Sequence, residues 1–306
     1  MRSSTFTFTS GDGQQVFAYQ WAPQDGVKPK AVVQIAHGAA EHAGRYARLG
    51  GFLADAGYLV VANDHRGHGR TAGDLKTAGI AGPDAWNGFL RDARQLNELI
   101  RQQHPGVPVF FFGHSMGSLI AQQFIQEWGG ELRGAVLSGT FGSLGPDPAV
   151  LLPMIEQAAE AAPDAPSQIF IGMFTTFNQA FEPVKTGFEW LSRDEAEVQK
   201  YMDDPWCGFV FSNRLVMDMF RGAYRIWSAQ NEARIPKDLP LLVVSGDMDP
   251  AGGNTASVTQ LVERYRALGL RKVTLKFYPQ ARHEILNETN RDEVQHDILA
   301  WLDAQA

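Results

Sequence analysis

Residues 107–128, VPVFFFGHSMGSLIAQQFIQEW, decide how this chain folds. Residues 107–112 are almost all apolar and follow Pro105-Gly106, which predicts a short buried strand. After Gly113 the period changes. Met116, Leu119, Ile120, Phe124 and Trp128 recur three or four apart, as on one face of a helix. Ser115 therefore stands between two glycines at a strand-to-helix joint, the G-x-S-x-G setting of a nucleophile elbow. The chemistry explains the glycines. A serine lifted clear of a sheet occupies a tight, strained turn, and a Cβ at position 113 or 117 is expected to strike a neighbouring strand or helix. The same turn aims the N–H of residue 116 at a reacting carbonyl.

On the N-terminal side, residues 3–9 and 15–21 flank Gly11-Asp12-Gly13, as in a β-hairpin with an Asp-Gly turn. Runs 31–36 and 58–62 read as strands. Between them lies a helix with Tyr46, Leu49, Phe52, Leu53 and Ala56 on one face and Gly57 as its C-cap. Residues 85–104 carry Phe89, Ala93, Leu96 and Ile100 at helical spacing, and 134–138 is a further strand. This alternation is the pattern of a parallel sheet covered on both faces. It stops at Phe141. It resumes with a strand at 239–245, a helix at 255–268, a strand at 272–278 and a helix at 291–302 with Val294, Ile298 and Trp301 inward. The intervening segment is rich in Phe, Met and Trp, and Pro146, Pro148, Pro153, Pro163 and Pro166 break its first half. It reads as an inserted, mostly helical cap at 141–235, between two parts of one α/β core at 1–140 and 236–306.

A chain of 306 residues suits that organisation. The net charge of −7 and scattered arginines give no electrostatic reason for a nucleic-acid partner. A single cysteine, Cys207, excludes an intrachain disulfide and a Cys-rich metal site. The first fifteen residues lack an apolar core, so no signal peptide is expected, and no apolar run is long enough to span a membrane. A cytoplasmic location is the resulting expectation.

A serine hydroxyl needs a base, and the base needs an orienting acid. Each should follow a later strand at the same sheet edge. Asp249 follows the strand at 239–245 and His283 the one at 272–278. Asp247 and Asp64 compete for the acid's role. Asp247 suits an Asx-type turn, and Asp64 suits bracing of the Gly-rich loop 63–70. Among the other histidines, His104 and His296 fall on predicted helices, and His114, inside the elbow, is expected to point away from the nucleophile. The oxyanion donors are expected at Met116, just after the serine, and at Ala39, in the loop after strand 31–36. Glu41 and His42 are read as braces of that loop. His65 and His68 could suggest a metal, but Arg66 and the glycines between them favour a braced turn. Gly67 and Gly69 do not complete a dinucleotide fingerprint, and there is no P-loop. No metal or cofactor is expected. The aromatic and Met content of the cap favours an apolar substrate group. Glu156, Glu160 and Asp164 would instead serve an amine substrate if aimed inward.

These segments together resemble the monoacylglycerol lipase and lysophospholipase branch of the α/β-hydrolases, grouped with serine-aminopeptidase-like hydrolases. The resemblance rests on HGAAEHAGRY at 37–46, DHRGHGRT at 64–71, GHSMGS at 113–118, LSRDEAEVQKYMDDPWC at 191–207, SGDMDP at 245–250 and YPQARHEILNE at 278–288. It implies an α/β-hydrolase fold with a mostly parallel sheet and an inserted helical cap. It further implies Ser115 as nucleophile, Asp249 as acid, His283 as base, and Ala39 and Met116 as oxyanion donors. The implied activity is cleavage of carboxylic esters of small molecules or lipids, with other esters, thioesters or activated amides as alternatives. A transient contact of the cap with a membrane surface is also expected. A non-enzymatic binding protein of this fold would usually lack a triad member, and here all three residue types are in place.

Overall fold

In the computed structural model, which describes residues 1–143 and 147–306, the apolar runs form an eight-stranded sheet. The strands are β1 Arg2–Thr9, β2 Gln15–Ala22, β3 Val32–Ala36, β4 Leu59–Asn63, β5 Val109–His114, β6 Gly134–Ser138, β7 Leu241–Gly246 and β8 Val273–Tyr278. Their spatial order is β1-β2-β4-β3-β5-β6-β7-β8. β1 and β2 are the predicted hairpin, β2 pairs antiparallel with β4, and the strands from β4 to β8 across the sheet are parallel. The main helices are α1 Ala47–Asp55, α2 Ala85–Gln103, α3 Met116–Trp128, α4 Pro148–Ala161, α5 Gln168–Asn178, α6 Glu195–Asp203, α7 Asn213–Ile226, α8 Ala229–Glu232, α9 Ala256–Ala267 and α10 Arg291–Gln305.

Strands β3 to β7 are buried along their whole length, as a sheet with helices on both faces requires. Successive side chains leave opposite faces. Phe110 and Phe112 join one core with α1 and α10, whereas Phe111 joins the other with α2, α3 and α9. Phe111 stacks on Phe124 of α3 at 4.5 Å, and truncating either ring to Ala would cost about 3–5 kcal/mol. The strand order reverses beside β3: the chain passes to β4 on one side and then to β5 on the other. Sheets of this kind bind ligands in the crevice at that switch point, beyond the carboxyl ends of the strands. The loop after β3 and Ser115 after β5 both open there.

Helices α4 to α8 lie between β6 and β7 and form the helical cap. Two prolines expected to break its first half belong to α4. Pro148 sits in the first helical turn, where its missing N–H is an orphan in any case, and the Asp147 side chain caps the end by accepting from Ala149 N–H. Pro153 lies inside α4 on the exposed face, where water can reach the carbonyl left unpaired. Pro163 and Pro166 fall in the turn between α4 and α5, and Pro146 lies outside the described residues.

Candidate active site

Ser115 has φ 52° and ψ −121°, a conformation sparsely populated by residues with a Cβ and worth about 1–3 kcal/mol of strain. The surrounding main chain holds it there. Ser115 N–H donates to Ser138 O (3.0 Å), and Ser115 O accepts from Ser118 N–H (2.8 Å) and from the Ser118 hydroxyl (2.6 Å). The two glycines do what the sequence requires. A Cβ on Gly113 would lie 2.3 Å from Gly117 O, and one on Gly117 would lie 2.1 Å from Ala36 O.

The loops after β7 and β8 bring Asp249 and His283 together. His283 Nδ1 donates to Asp249 Oδ2 at 2.9 Å, with both side chains almost fully buried. That bond assigns the proton to Nδ1 and leaves Nε2 unprotonated in the neutral ring. Asp249 Oδ1 accepts from Ala251 N–H, so the carboxylate is fixed from two sides. Burial alone would raise its pKa, but His283 and the backbone donor outweigh that and hold it below the usual range. For His283, burial favours the neutral ring, but the Asp249 charge outweighs it and lifts the pKa above 6.5. Asp247 is exposed at its tip and accepts from Gln280 N–H (2.6 Å), which braces the histidine loop at a residue of positive φ. Asp64 takes N–H groups of Ala43 and Arg70 and so braces its Gly-rich loop, as read from the sequence.

Ser115 and His283 share one cavity wall with Gly38, Ala39 and Met116. Among the described residues no hydrogen bond joins Ser115 to the imidazole, a contact that is often long before substrate binds. In the loop after β3, Gly38 N–H donates to Glu41 (2.5 Å) and Ala40 N–H to His68 Nε2 (3.3 Å). Among the described residues no protein acceptor takes the Ala39 N–H between them. Met116 opens α3, where an N–H has no intrahelical carbonyl to serve.

His114 departs from expectation. Its ring does not turn away from the site but packs 4.9 Å from the His283 ring and lines the cavity. Burial and the neighbouring imidazole push its pKa down to about 4, so it stays neutral beside His283. Four other residues of the site were not singled out from the sequence. Trp190 packs 4.9 Å from His283, and its carbonyl accepts the His283 N–H. Arg45 binds Glu41 (2.6 Å) and Glu284 (2.6 and 2.7 Å) in a buried cluster. Tyr201 of α6 lies over Arg45, 4.8 Å from guanidinium carbon to ring centre. The i,i+4 spacing of Glu41 and Arg45 was a signal available in the sequence. The partners Glu284 and Tyr201 were not, because they come from distant segments.

His37, His65 and His68 pack together, and burial drives each pKa down, to about 3 for His65 and about 4 for His68. Their nitrogens serve the backbone: His37 Nε2 accepts from His65 N–H and His68 Nε2 from Ala40 N–H. They brace the loops. His42, Asp204 and Cys207 bring donor atoms within 4.8 Å of one another. However, His42 Nδ1 accepts from Gly44 N–H, so its proton sits on Nε2, which donates to Asp204 (2.9 Å). A metal would need that nitrogen bare. The pair pins the loop after β3 to the cap.

The cavity has a volume of about 530 Å³, within the usual size of a small-molecule site. Its walls are mainly apolar, with Leu119, Phe170, Met173, Phe174 and Phe220 among them. The cap residues Glu156, Glu160 and Asp164 do not line it; Glu156 instead pairs with Arg221 on the outside. The segment 188–208 is tied to the core. Leu191 O accepts Glu284 N–H, and the buried Glu288 carboxylate takes the N–H groups of Arg193, Arg282 and Thr289 together with Arg193 Nε.

A sheet of this order, with a serine elbow at its switch point and a helical cap above, places the chain in the α/β-hydrolase class, among the serine carboxylic ester hydrolases. The family model described as serine aminopeptidase, S33, matches residues 27–290, and the chain belongs to that family. It is 30% identical to a monoacylglycerol lipase of Mycolicibacterium smegmatis over 310 residues, covering 98% of this chain and 96% of that one. It is 29% identical to the monoglyceride lipase of Homo sapiens, with 96% and 88% covered. Among solved structures, a highly thermostable carboxyl esterase from Bacillus coagulans superposes with a TM-score of 0.91 at 30% identity over 99% of each chain. Among the described residues, no helix is long and apolar enough to cross a membrane.

Proposed function

We propose that the chain cleaves carboxylic esters of an apolar acyl chain, with monoacylglycerols or lysophospholipids as the substrate class. The observation that carries this reading is the cavity of about 530 Å³, apolar over most of its wall, that opens onto Ser115 and His283. Burying an acyl chain there is worth roughly 0.8 kcal/mol per methylene. The two lipases of similar sequence, a monoacylglycerol lipase and a monoglyceride lipase by name, support the monoacylglycerol part of that class.

In this mechanism Ser115 Oγ attacks the ester carbonyl while His283 Nε2 takes its proton. Asp249 holds the ring tautomer and stabilises the imidazolium. The oxyanion is bound by the N–H groups of Ala39 and Met116. Collapse of the tetrahedral adduct breaks the C–O bond, and the alkoxide leaves with the proton from Nε2. Water then adds to the acyl-enzyme by the same path and frees the acid. Val150 and Met154 on α4, 64% and 59% exposed, support a transient contact of the cap with an apolar surface from which such a substrate is drawn.

The test is a chain-length series of p-nitrophenyl and glycerol esters, with Ser115→Ala as control. An optimum at about eight carbons or more is expected, because each added methylene gains burial. An optimum at about two to four carbons would replace this reading with a small-ester esterase. Turnover by Ser115→Ala at the wild-type rate would remove the serine mechanism.

A further inference from the structure

Ala40 has φ 53°, in the region that favours glycine. A residue held there persists only when its surroundings over-determine it. The core supplies part of the restraint, through His68 on the Ala40 N–H and Glu41 on the Gly38 N–H. The rest comes from the cap. The Tyr201 hydroxyl donates to Ala40 O at 2.8 Å, and Gly208 N–H donates to the same oxygen at 2.9 Å. Both act on the residue next to Ala39. The Tyr201 ring is buried and wedged between Arg45 and Phe188, with 5.2 Å between ring centres on the Phe188 side. Burial keeps its hydroxyl protonated, so it remains a donor throughout the working pH range.

We infer that Tyr201 is a positioning residue: through Ala40 O, the cap holds the Ala39 N–H where the oxyanion forms. The inference rests on the proposed ester hydrolysis and deepens it. The cap segment thereby completes the site as well as covering it. Without the hydroxyl, Ala40 O keeps one donor instead of two, and the loop loosens in the transition state; Tyr201 itself lines the cavity, but the apolar walls formed by Leu119, Phe170, Phe174 and Phe220 are unchanged.

Tyr201→Phe removes only the hydroxyl and keeps the ring against Arg45 and Phe188. The experiment measures kcat and KM with a glycerol ester and a p-nitrophenyl ester of one acyl chain, together with the unfolding midpoint. The expected result is a fall in kcat of roughly 10- to 100-fold, below the loss from deleting an oxyanion donor outright. KM should stay within about twofold, and the loss should be equal for the two alcohols, because the oxyanion is common to both. Phe188→Leu, which loosens the ring's seat and keeps the hydroxyl, should retain kcat. Three results would overturn the inference: an unchanged kcat in Tyr201→Phe, a loss confined to the glycerol ester, or an equal loss in Phe188→Leu. A wild-type protein inactive on both esters would instead refute the proposed function, and this inference with it.

Discussion

Arg45→Met tests the buried charge cluster beside the site. Arg45 is the shared counter-ion of Glu41 and Glu284, whose carboxylates are both buried. After its removal Glu41 keeps Gly38 N–H and the Tyr46 hydroxyl, and Glu284 keeps the Asn287 amide. Two negative charges would then face each other out of water. Breaking a buried pair in this way costs about 3–5 kcal/mol. At a few degrees per kcal/mol, the unfolding midpoint should drop by roughly 10 °C. The pH dependence has a definite sign. In the wild type burial opposes ionisation of Glu284, but Arg45 outweighs it, so its folded pKa lies below the ordinary 4.5. That contribution is complete above 4.5 and is lost only as the pH falls through the lower, folded value. In the variant Glu284 loses the counter-charge that outweighed its burial and is pushed upward, so acidification from pH 8 to 5 relieves the charge. The gap to wild type should narrow by up to about 1.4 kcal/mol per pH unit. Urea unfolding at several pH values measures this. A gap under about 1 kcal/mol, or one independent of pH, would refute the reasoning.

Asp249→Asn should keep the fold and lower kcat by roughly 10⁴-fold, because the amide no longer fixes the tautomer of His283; an unfolding scan beside the assay separates the two effects. In the wild type, kcat/KM should rise with pH through a midpoint above 6.5, since the base acts neutral and Asp249 raises its pKa. A midpoint below 6.5 would contradict the buried Asp–His pair. Gly117→Ala places a Cβ 2.1 Å from Ala36 O and should destabilise by about 1–3 kcal/mol or more, with loss of activity. A wild-type unfolding midpoint in that variant would show that the elbow has room to spare.

The core was legible because its signals are local. The strand–helix period, the glycines around Ser115 and the strand-end positions of Asp249 and His283 are each set by neighbours in sequence. The pairing of Asp249 with His283 needed only the rule that parallel strands end at one edge. Contacts that tie the cap to the site are not local. Tyr201 and Ala40 are 161 residues apart, and no period in either segment announces the bond. His114 was misjudged for a related reason. Its direction depends on the positive φ of Ser115 and on the space left by Gly139, whose added Cβ would lie 2.9 Å from the His114 ring. In the sequence alone the prolines of α4 read as breaks, because only the Asp147 cap fixes their position relative to the helix start.

The Glu288 anchor divides the roof of this molecule into parts with different freedom to change. Segment 188–208 is joined through that carboxylate, and through the Trp190 and Leu191 carbonyls, to the loop that carries His283. Helices α4 and α5 reach the cavity with apolar side chains such as Leu151, Phe170 and Phe174. A graft of α4 from another hydrolase would therefore retool the choice of substrate and leave the reaction intact, whereas α5 also braces Trp190 through Asn178. The same exchange at 188–208 would dismantle the reaction itself.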